Sequence, residues 1–361
     1  MSSSSTETAP APVEFDPYSN VFFDSPFDTY RRMRDEAPVY YNQKYDFYAL
    51  TGYDDVSAAY KGTATYSSAH GASLDQVKSD DMNVRDLKLI ILMDPPEHER
   101  MRKLVSRAFT PRAIAGLESM VRAQISQAIR ALNPASFDAV ADFILQTGAY
   151  YYELIQERRA HPQDDMISRL IEVEIDEGGA SRTLDDIEIA GFASMLGAAG
   201  AETVTKLVGN AVVVFADYPD QWQLLQRDRT KIGAAVEELL RFEGPSQYNV
   251  RYTLREATLH DTTIPAGSAV LLINGSANRD ERVFPDPDRF DIDRQRKLVY
   301  NIGFGYGIHS CLGAALAHLE SRIALEMLLD FIPRFDIDRS GLRRVHMSNV
   351  AGWSNVPVCA R

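Results

Sequence analysis

The chain has 361 residues, of which 45% are hydrophobic and 25% charged, a mixture that supports a sizeable core and excludes a disordered or collagen-like chain. Asp and Glu number 51 against 38 Lys and Arg, leaving a net charge of −13, so no nucleic acid is expected as a partner. Two cysteines, Cys311 and Cys359, cannot build a disulfide framework and fit a reducing cytoplasm. No apolar run reaches membrane-spanning length, and the opening MSSSSTETAPAP lacks the basic-then-apolar order of a signal peptide, so no membrane anchor is expected.

In chain order, residues 1–15 read as a disordered tail and 16–361 as one domain, without linkers or repeats. SPFDTYRRMRDEAP is an amphipathic helix with a Pro stop. VYY and DFYAL are short strands, and a helix follows through DVSAAY. EHERMRKLVSRAF and PRAIAGLESMVRAQISQAIRAL read as two helices, the second opening at Pro111. From Thr183, with Asp186 three residues on in a capping arrangement, apolar residues continue on nearly all faces to about Tyr218. This is a helix of roughly 50 Å that belongs in the interior. Its middle, GAAGAET, sets Gly197 and Gly200 beside the polar pair Glu202 and Thr203. A buried helix that gives up stability to hold a carboxyl and a hydroxyl side by side points to a site.

Helices QWQLLQRD and KIGAAVEELLRF come next, then strands around NVRYTL, ATLH and SAVLLIN. Ser276 to Val299 is dense in charge and Pro with little periodicity, and a Gly-rich loop leads into the helix CLGAALAHLESRIALEMLLDFI. Short strands close the chain. The expected fold is mainly α, one large helical domain with a minor antiparallel β portion.

The loop Phe304-Gly-Tyr-Gly-Ile-His309-Ser-Cys311-Leu-Gly313 carries the strongest chemical signal. Its glycines allow a tight backbone to approach something flat or bulky. Cys311 stands at a helix start, where the dipole favours the thiolate as nucleophile or metal ligand. The two cysteines cannot complete a tetrahedral zinc site.

FGYGIHSCLG resembles the haem-binding loop of the cytochrome P450 family at every fixed position, Phe304, Gly305, Gly307, His309, Cys311 and Gly313. The resemblance implies a haem b whose iron is ligated axially by the Cys311 thiolate, which pushes electron density toward O–O cleavage. Glu238-Leu-Leu-Arg241 resembles the family's Glu-x-x-Arg helix, and Arg289, in PDRF, matches the position that completes that structural lock. Ala199-Gly-Ala-Glu-Thr203 resembles the oxygen-activation motif of the central helix. There Thr203 would bond dioxygen, Glu202 would relay protons, and Gly200 would let the helix distort. DPPEHERMR resembles the segment in which His98 and Arg102 reach a haem propionate; Arg251 and His309 match the other propionate partners. Phe304 would pack near the thiolate, with Gly305 and Gly307 letting amides approach the sulfur. Cys359 is a bystander.

The resemblance runs from about Ser25 to the end with one departure. Between Phe143 and Ile144 some tens of residues appear deleted, the stretch that carries the lid helices over the substrate pocket; Tyr150, Tyr151 and Tyr152 lie on what remains. The implied activity is that of a soluble bacterial monooxygenase acting on a small lipophilic substrate with O2. Electrons would come from a ferredoxin and its reductase, docking near Lys103, Arg107 and Arg112. Ile90, Leu92, Ala199, Tyr248, Asn249 and Val250 are candidate pocket residues. The rival readings are an H2O2-dependent peroxygenase, a non-catalytic haem-binding protein disabled by loss of the lid, and, remotely, a cysteine hydrolase built on His309 and Cys311.

Overall fold

The computed structural model describes residues 12–79, 89–106, 109–131, 136–138, 151–163, 166–172, 174–177, 180–184, 186–295, 299–347 and 349–360. The helices in chain order are α1 (Asn20–Asp24), α2 (Phe27–Glu36), α3 (Tyr53–Lys61), α4 (Leu74–Lys78), α5 (Glu97–Val105), α6 (Pro111–Gly116) and α7 (Glu118–Ala131). They continue with α8 (Tyr151–Ala160), α9 (Met166–Glu172), α10 (Asp186–Asp217), α11 (Pro219–Arg227), α12 (Ile232–Phe242), α13 (Asn274–Ala277) and α14 (Ala314–Phe331). The strands are β1 (Val39–Asn42), β2 (Phe47–Leu50), β3 (Tyr66–Ser67), β4 (Ser136–Asp138), β5 (Glu174–Glu177), β6 (Ala180–Thr183) and β7 (Asn249–Thr253). After them come β8 (Ala257–Leu259), β9 (Thr262–Ile264), β10 (Ala269–Leu272), β11 (Phe335–Ile337), β12 (Arg343–Met347), β13 (Val350–Asn355) and β14 (Pro357–Ala360).

The mainly helical expectation holds, and its local signals have identifiable structural counterparts. Thr110 caps α6 with its hydroxyl on the Ala113 N–H, and Pro111 occupies the first turn as its missing N–H allows. The single helix expected from Pro111 breaks after Gly116, so α6 and α7 are separate. Helix α10 is 32 residues long, about 48 Å, and begins after Thr183, which is the last residue of β6 and not a cap. Its C-terminal half, from Leu207 to Phe215, is fully clad: it packs with α12 and α14 in the largest apolar core, together with Trp222, Phe290 and Leu328. Pro219 then opens α11.

The main sheet has the order β1-β2-β10-β7-β3. Hairpin-like neighbours are antiparallel, but β10 joins β2 in parallel, pairing Leu271 with Ala49, so the sheet is mixed and not purely antiparallel. The two strands come from distant parts of the chain, and no short turn dictates their direction. One face of this sheet covers a second core containing Tyr30, Met33, Phe47, Tyr248, Val250 and Phe15. Phe15 is fully buried, so the expected tail ends earlier than residue 15; residues 1–11 lie outside the described residues. A lone aromatic with an apolar cavity to fill outweighs the polar character of its neighbours. Tyr248 and Val250 belong to this same core, and their side chains are not free to line a pocket.

Glu238 and Arg241 form a fully buried pair one helical turn apart. The guanidinium meets both carboxylate oxygens at 2.9 and 2.8 Å, and donates further to the carbonyls of Asn278, Pro287 and Arg289. The third member expected from the sequence, Arg289, contributes only that carbonyl; its side chain is exposed. The second guanidinium on Glu238 is that of Arg294, with Nε 3.0 Å from Oε1. A turn after Phe290, in which the Asp291 N–H donates to Glu238 Oε1, carries the chain back toward α12, which sets Arg294 inward and Arg289 outward.

Glu238→Ala leaves two guanidiniums without their acid and is expected to cost about 3–5 kcal/mol in urea denaturation. Arg294→Ala should also destabilise clearly, whereas Arg289→Ala, which keeps the carbonyl, should stay within about 0.5 kcal/mol. A larger loss for Arg289 than for Arg294 would reverse the assignment.

Candidate functional site

Cys311 sits just before α14, in a loop held by its own backbone. The Cys311 N–H donates to the Phe304 carbonyl at 2.9 Å, and the Gly305 N–H to the Ile302 carbonyl at 2.9 Å. Gly305 and Gly307 both have φ near +68, which favours glycine on backbone grounds alone. At Gly307 a Cβ would also come within 2.6 Å of the Tyr60 carbonyl, so α3 supports the loop at van der Waals distance. The loop is tied to the Glu238–Arg241 region through the Ile302 N–H, which donates to Asn278 Oδ1 at 2.7 Å.

Protein packed around the sulfur pushes the Cys311 thiol up, against the helix-start argument, while a hydrogen bond from the Gly313 backbone and the nearby Arg102 guanidinium pull it down. The residue itself remains open to solvent on one side. The result is a sulfur that gains most when a positive centre binds it.

Four bases from two elements and the loop gather on the same side. His98 and Arg102 come from α5, Arg251 from β7 and His309 from the loop. The rings of His98 and His309 are 4.1 Å apart. Both ring nitrogens of His98 and Nε2 of His309 are buried without a hydrogen-bond partner. Arg251 is buried across the Tyr60 ring, 5.3 Å from its centroid, and its one recorded bond is to its neighbour's carbonyl, Val250. Among the described residues none of the four bases makes an ion pair. Burial, then Arg251 and His98, push His309 down to about 3; burial and Arg102 lower His98. Mutually repelling buried bases with idle polar atoms are costly unless an anion joins them.

The segment preceding α5 is placed by Asp94. Its carboxylate accepts from the Ser67 hydroxyl and, at 2.8 Å, from the Ser68 N–H, fastening the start of α5 to β3. Tyr60 is a second anchor that the sequence did not reveal: its hydroxyl bridges the Asn249 and Asn274 side chains at 2.7 Å each. Neither has a spacing signal. Only the presence of an unpaired Asp before two prolines, and of a Tyr on an apolar helix face, marks them.

Along α10, Glu202 and Thr203 are half-buried, and Ala199 and Gly200 are exposed. The helix runs through Gly200 without a break. The Thr203 hydroxyl donates to the Ala199 carbonyl one turn back at 2.7 Å. Of the other candidate pocket residues, Ile90 and Leu92 are buried, and Asn249 is occupied with Tyr60. Lys103 and Arg112 are exposed; Arg107 lies outside the described residues, as do Tyr150 and the expected deletion between Phe143 and Ile144.

A sulfur that ionises with difficulty on its own, with four bases near it that form no ion pair among the described residues, fits a ligand bearing both a metal and carboxylates. The sequence profile described as cytochrome P450 matches residues 140–341. The chain is 34% identical to cytochrome P450 130 of Mycobacterium tuberculosis, over 88% of this chain and 90% of that one. The chain belongs to the cytochrome P450 family. It is also 32% identical to the erythromycin C-12 hydroxylase of Saccharopolyspora erythraea, over 91% of this chain and 92% of that one. The solved structure of cytochrome P450 CYP109Q5 from Chondromyces apiculatus superposes with a TM-score of 0.83 at 30% identity, covering 96% of this chain and 98% of that one. Membership makes this chain a homologue of P450 monooxygenases, and the family implies a thiolate-ligated haem. Among the described residues no helix is long and apolar enough to cross a membrane.

The buried imidazoles give this P450 a defined pH response. His309 titrates at about 3 in the folded protein and near 6.5 in the unfolded chain, so between those values the unfolded chain holds the extra proton. Stability of the haem-free protein therefore falls as pH drops below 6.5 and keeps falling toward about 3, with His98 acting in the same sense. Urea midpoints across this range should show the decline, and His309→Gln should remove up to one proton from its slope.

Proposed function

We propose that the chain is a haem-thiolate monooxygenase that inserts one atom of O2 into a small lipophilic substrate, with Cys311 as the axial ligand of haem b. The observation that carries this reading is the convergence of His98, Arg102, Arg251 and His309, unpaired, beside Cys311. A group bearing an iron and two propionates answers the sulfur and the four bases at once. When bound, haem supplies the activation of O2 and its transfer to a C–H bond or alkene.

The chain's own residues do the positioning and the proton handling. Gly313 donates its N–H to the sulfur, and the backbone turn at Gly305 and Gly307 keeps the loop closed behind it. With its proton directed at Ala199, the Thr203 oxygen offers lone pairs to the distal side, so it orients an O–H donor and leaves proton supply to Glu202. Electrons come from outside, from a ferredoxin and ferredoxin reductase, and the exposed Lys103 and Arg112 supply positive charge to a partner of opposite sign.

The exposure of Ala199 and Gly200 favours one second reading, a peroxide-driven reaction at an accessible distal side.

The test is an absorbance spectrum of the haem-loaded protein, reduced and exposed to carbon monoxide. A strongly red-shifted band, lost in Cys311→Ser, is expected; a band typical of histidine ligation would overturn the reading. Thr203→Ala should consume electrons at a comparable rate while diverting them to peroxide, and Glu202→Gln should slow turnover by about 10²-fold or more. Product formation with peroxide and none with any electron donor would favour the second reading.

A further inference from the structure

Helix α14 carries a histidine that the reading above does not use. His318 stands two turns after Cys311, and both of its ring nitrogens face acceptors: Nδ1 lies 2.6 Å from the Ala314 carbonyl and Nε2 2.5 Å from Glu237 Oε1 on α12. A carbonyl cannot donate, so Nδ1 carries a proton. The other oxygen of Glu237 accepts from the Asn301 amide at 2.7 Å, and the orientation of that amide is fixed because Asn301 Oδ1 accepts from the Gly303 N–H. Between Glu237 and Nε2 the remaining proton belongs to the more basic imidazole. The bond to Glu237 raises His318 accordingly. On its remaining face the ring packs against Phe304, with centroids 5.0 Å apart, and Phe304 supplies the carbonyl that takes the Cys311 amide proton.

We propose that His318 is a positioning residue for Cys311: held as an imidazolium between Glu237 and Ala314, it braces Phe304, whose carbonyl takes the Cys311 amide proton, and adds a positive charge, partly offset by Glu237, on that side of the loop. This rests on the reading of Cys311 as the haem ligand. A cation there stabilises the reduced, more negative centre, so it raises the reduction potential. The other charges on the cleft that His318 lines, about 340 Å³ between α6, α12 and α14, are Glu118 and Arg322. They are tied to each other and, with Arg122, to Glu326. Glu237 is therefore the acid that controls His318.

Two measurements test the proposal. In the haem-free protein, ring ¹⁵N NMR, assigned by the resonances lost in His318→Gln, should show both nitrogens protonated at neutral pH, and Glu237→Gln should shift the titration to lower pH. In the haem-loaded protein, His318→Gln should lower the equilibrium constant for reduction about three- to tenfold, tenfold being about 59 mV for one electron. His318→Arg should restore the wild-type value and remove the decline that the wild type shows as pH rises through the His318 titration. A neutral His318 at pH 7, or equilibrium constants for reduction of His318→Gln and wild type that differ by less than about threefold at neutral pH, overturns the proposal. Loss of the thiolate spectrum in the wild type overturns the functional reading and the potential claim with it; the NMR result still decides the charge of His318 by itself.

Discussion

The site depends on the buried ion pair between Glu238 and Arg241. Removing two charges from water is costly, and this pair offsets the cost because nearly every donor and acceptor is used. Arg241 collects carbonyls at Asn278, Pro287 and Arg289, so an otherwise irregular, Pro-rich stretch is pinned to α12. Asn278 then receives the Ile302 N–H, Ile302 receives Gly305, and Phe304 receives Cys311. The position of the sulfur is thus set by a short chain of hydrogen bonds that begins at a residue with no chemical part in the reaction. Such a charge pair adds direction, which an apolar core cannot: it has one arrangement in which all its polar atoms are satisfied.

On the other side of the sulfur the requirement is reversed. His98, Arg102, Arg251 and His309 lie close enough to depress one another's protonation, with ring nitrogens of His98 and His309 left idle, and the protein bears the electrostatic cost of keeping them so. Asp94 and Tyr60 hold two of the segments that carry these bases, one through β3 and one beneath Arg251. Preorganisation of this kind moves the free-energy cost from the binding step to folding. The two anchors differ in kind: Tyr60 brings no charge to the cluster, whereas the Asp94 carboxylate, engaged by the Ser67 hydroxyl and the Ser68 N–H, lies close enough to favour the charged forms of His98 and Arg251.

Much of this was legible in the residues. The Gly-rich loop could be read because backbone geometry restricts which residues fit, and the central helix because its apolar run is far longer than ordinary helices need. Arg294 was not legible. Arg289 and Arg294 lie five residues apart in one charged stretch, and only the turn after Phe290 decides which guanidinium meets Glu238. Phe15 was missed because its neighbours are polar and its cavity is formed by Tyr30 and Phe47, from a helix and a strand further along. The Tyr60 and His318 contacts depend on which helices face one another, information that exists only after the chain has folded. Local signals therefore gave the parts that touch a ligand, and tertiary packing alone gave the parts that hold those parts still.

The small sheet β11-β14-β4 has a consequence for biosynthesis. Ser136–Asp138 pair with Pro357–Cys359, partners roughly two hundred residues later in the chain. At ordinary ribosomal rates, on the order of ten to forty seconds pass between the emergence of the two strands. Through that interval β4 is an unpaired edge, and the helices between it and β14 must assemble without the cover that strand provides. The nascent protein is consequently most exposed to aggregation late in translation, and its dependence on chaperones should be greatest after most of its helices already exist.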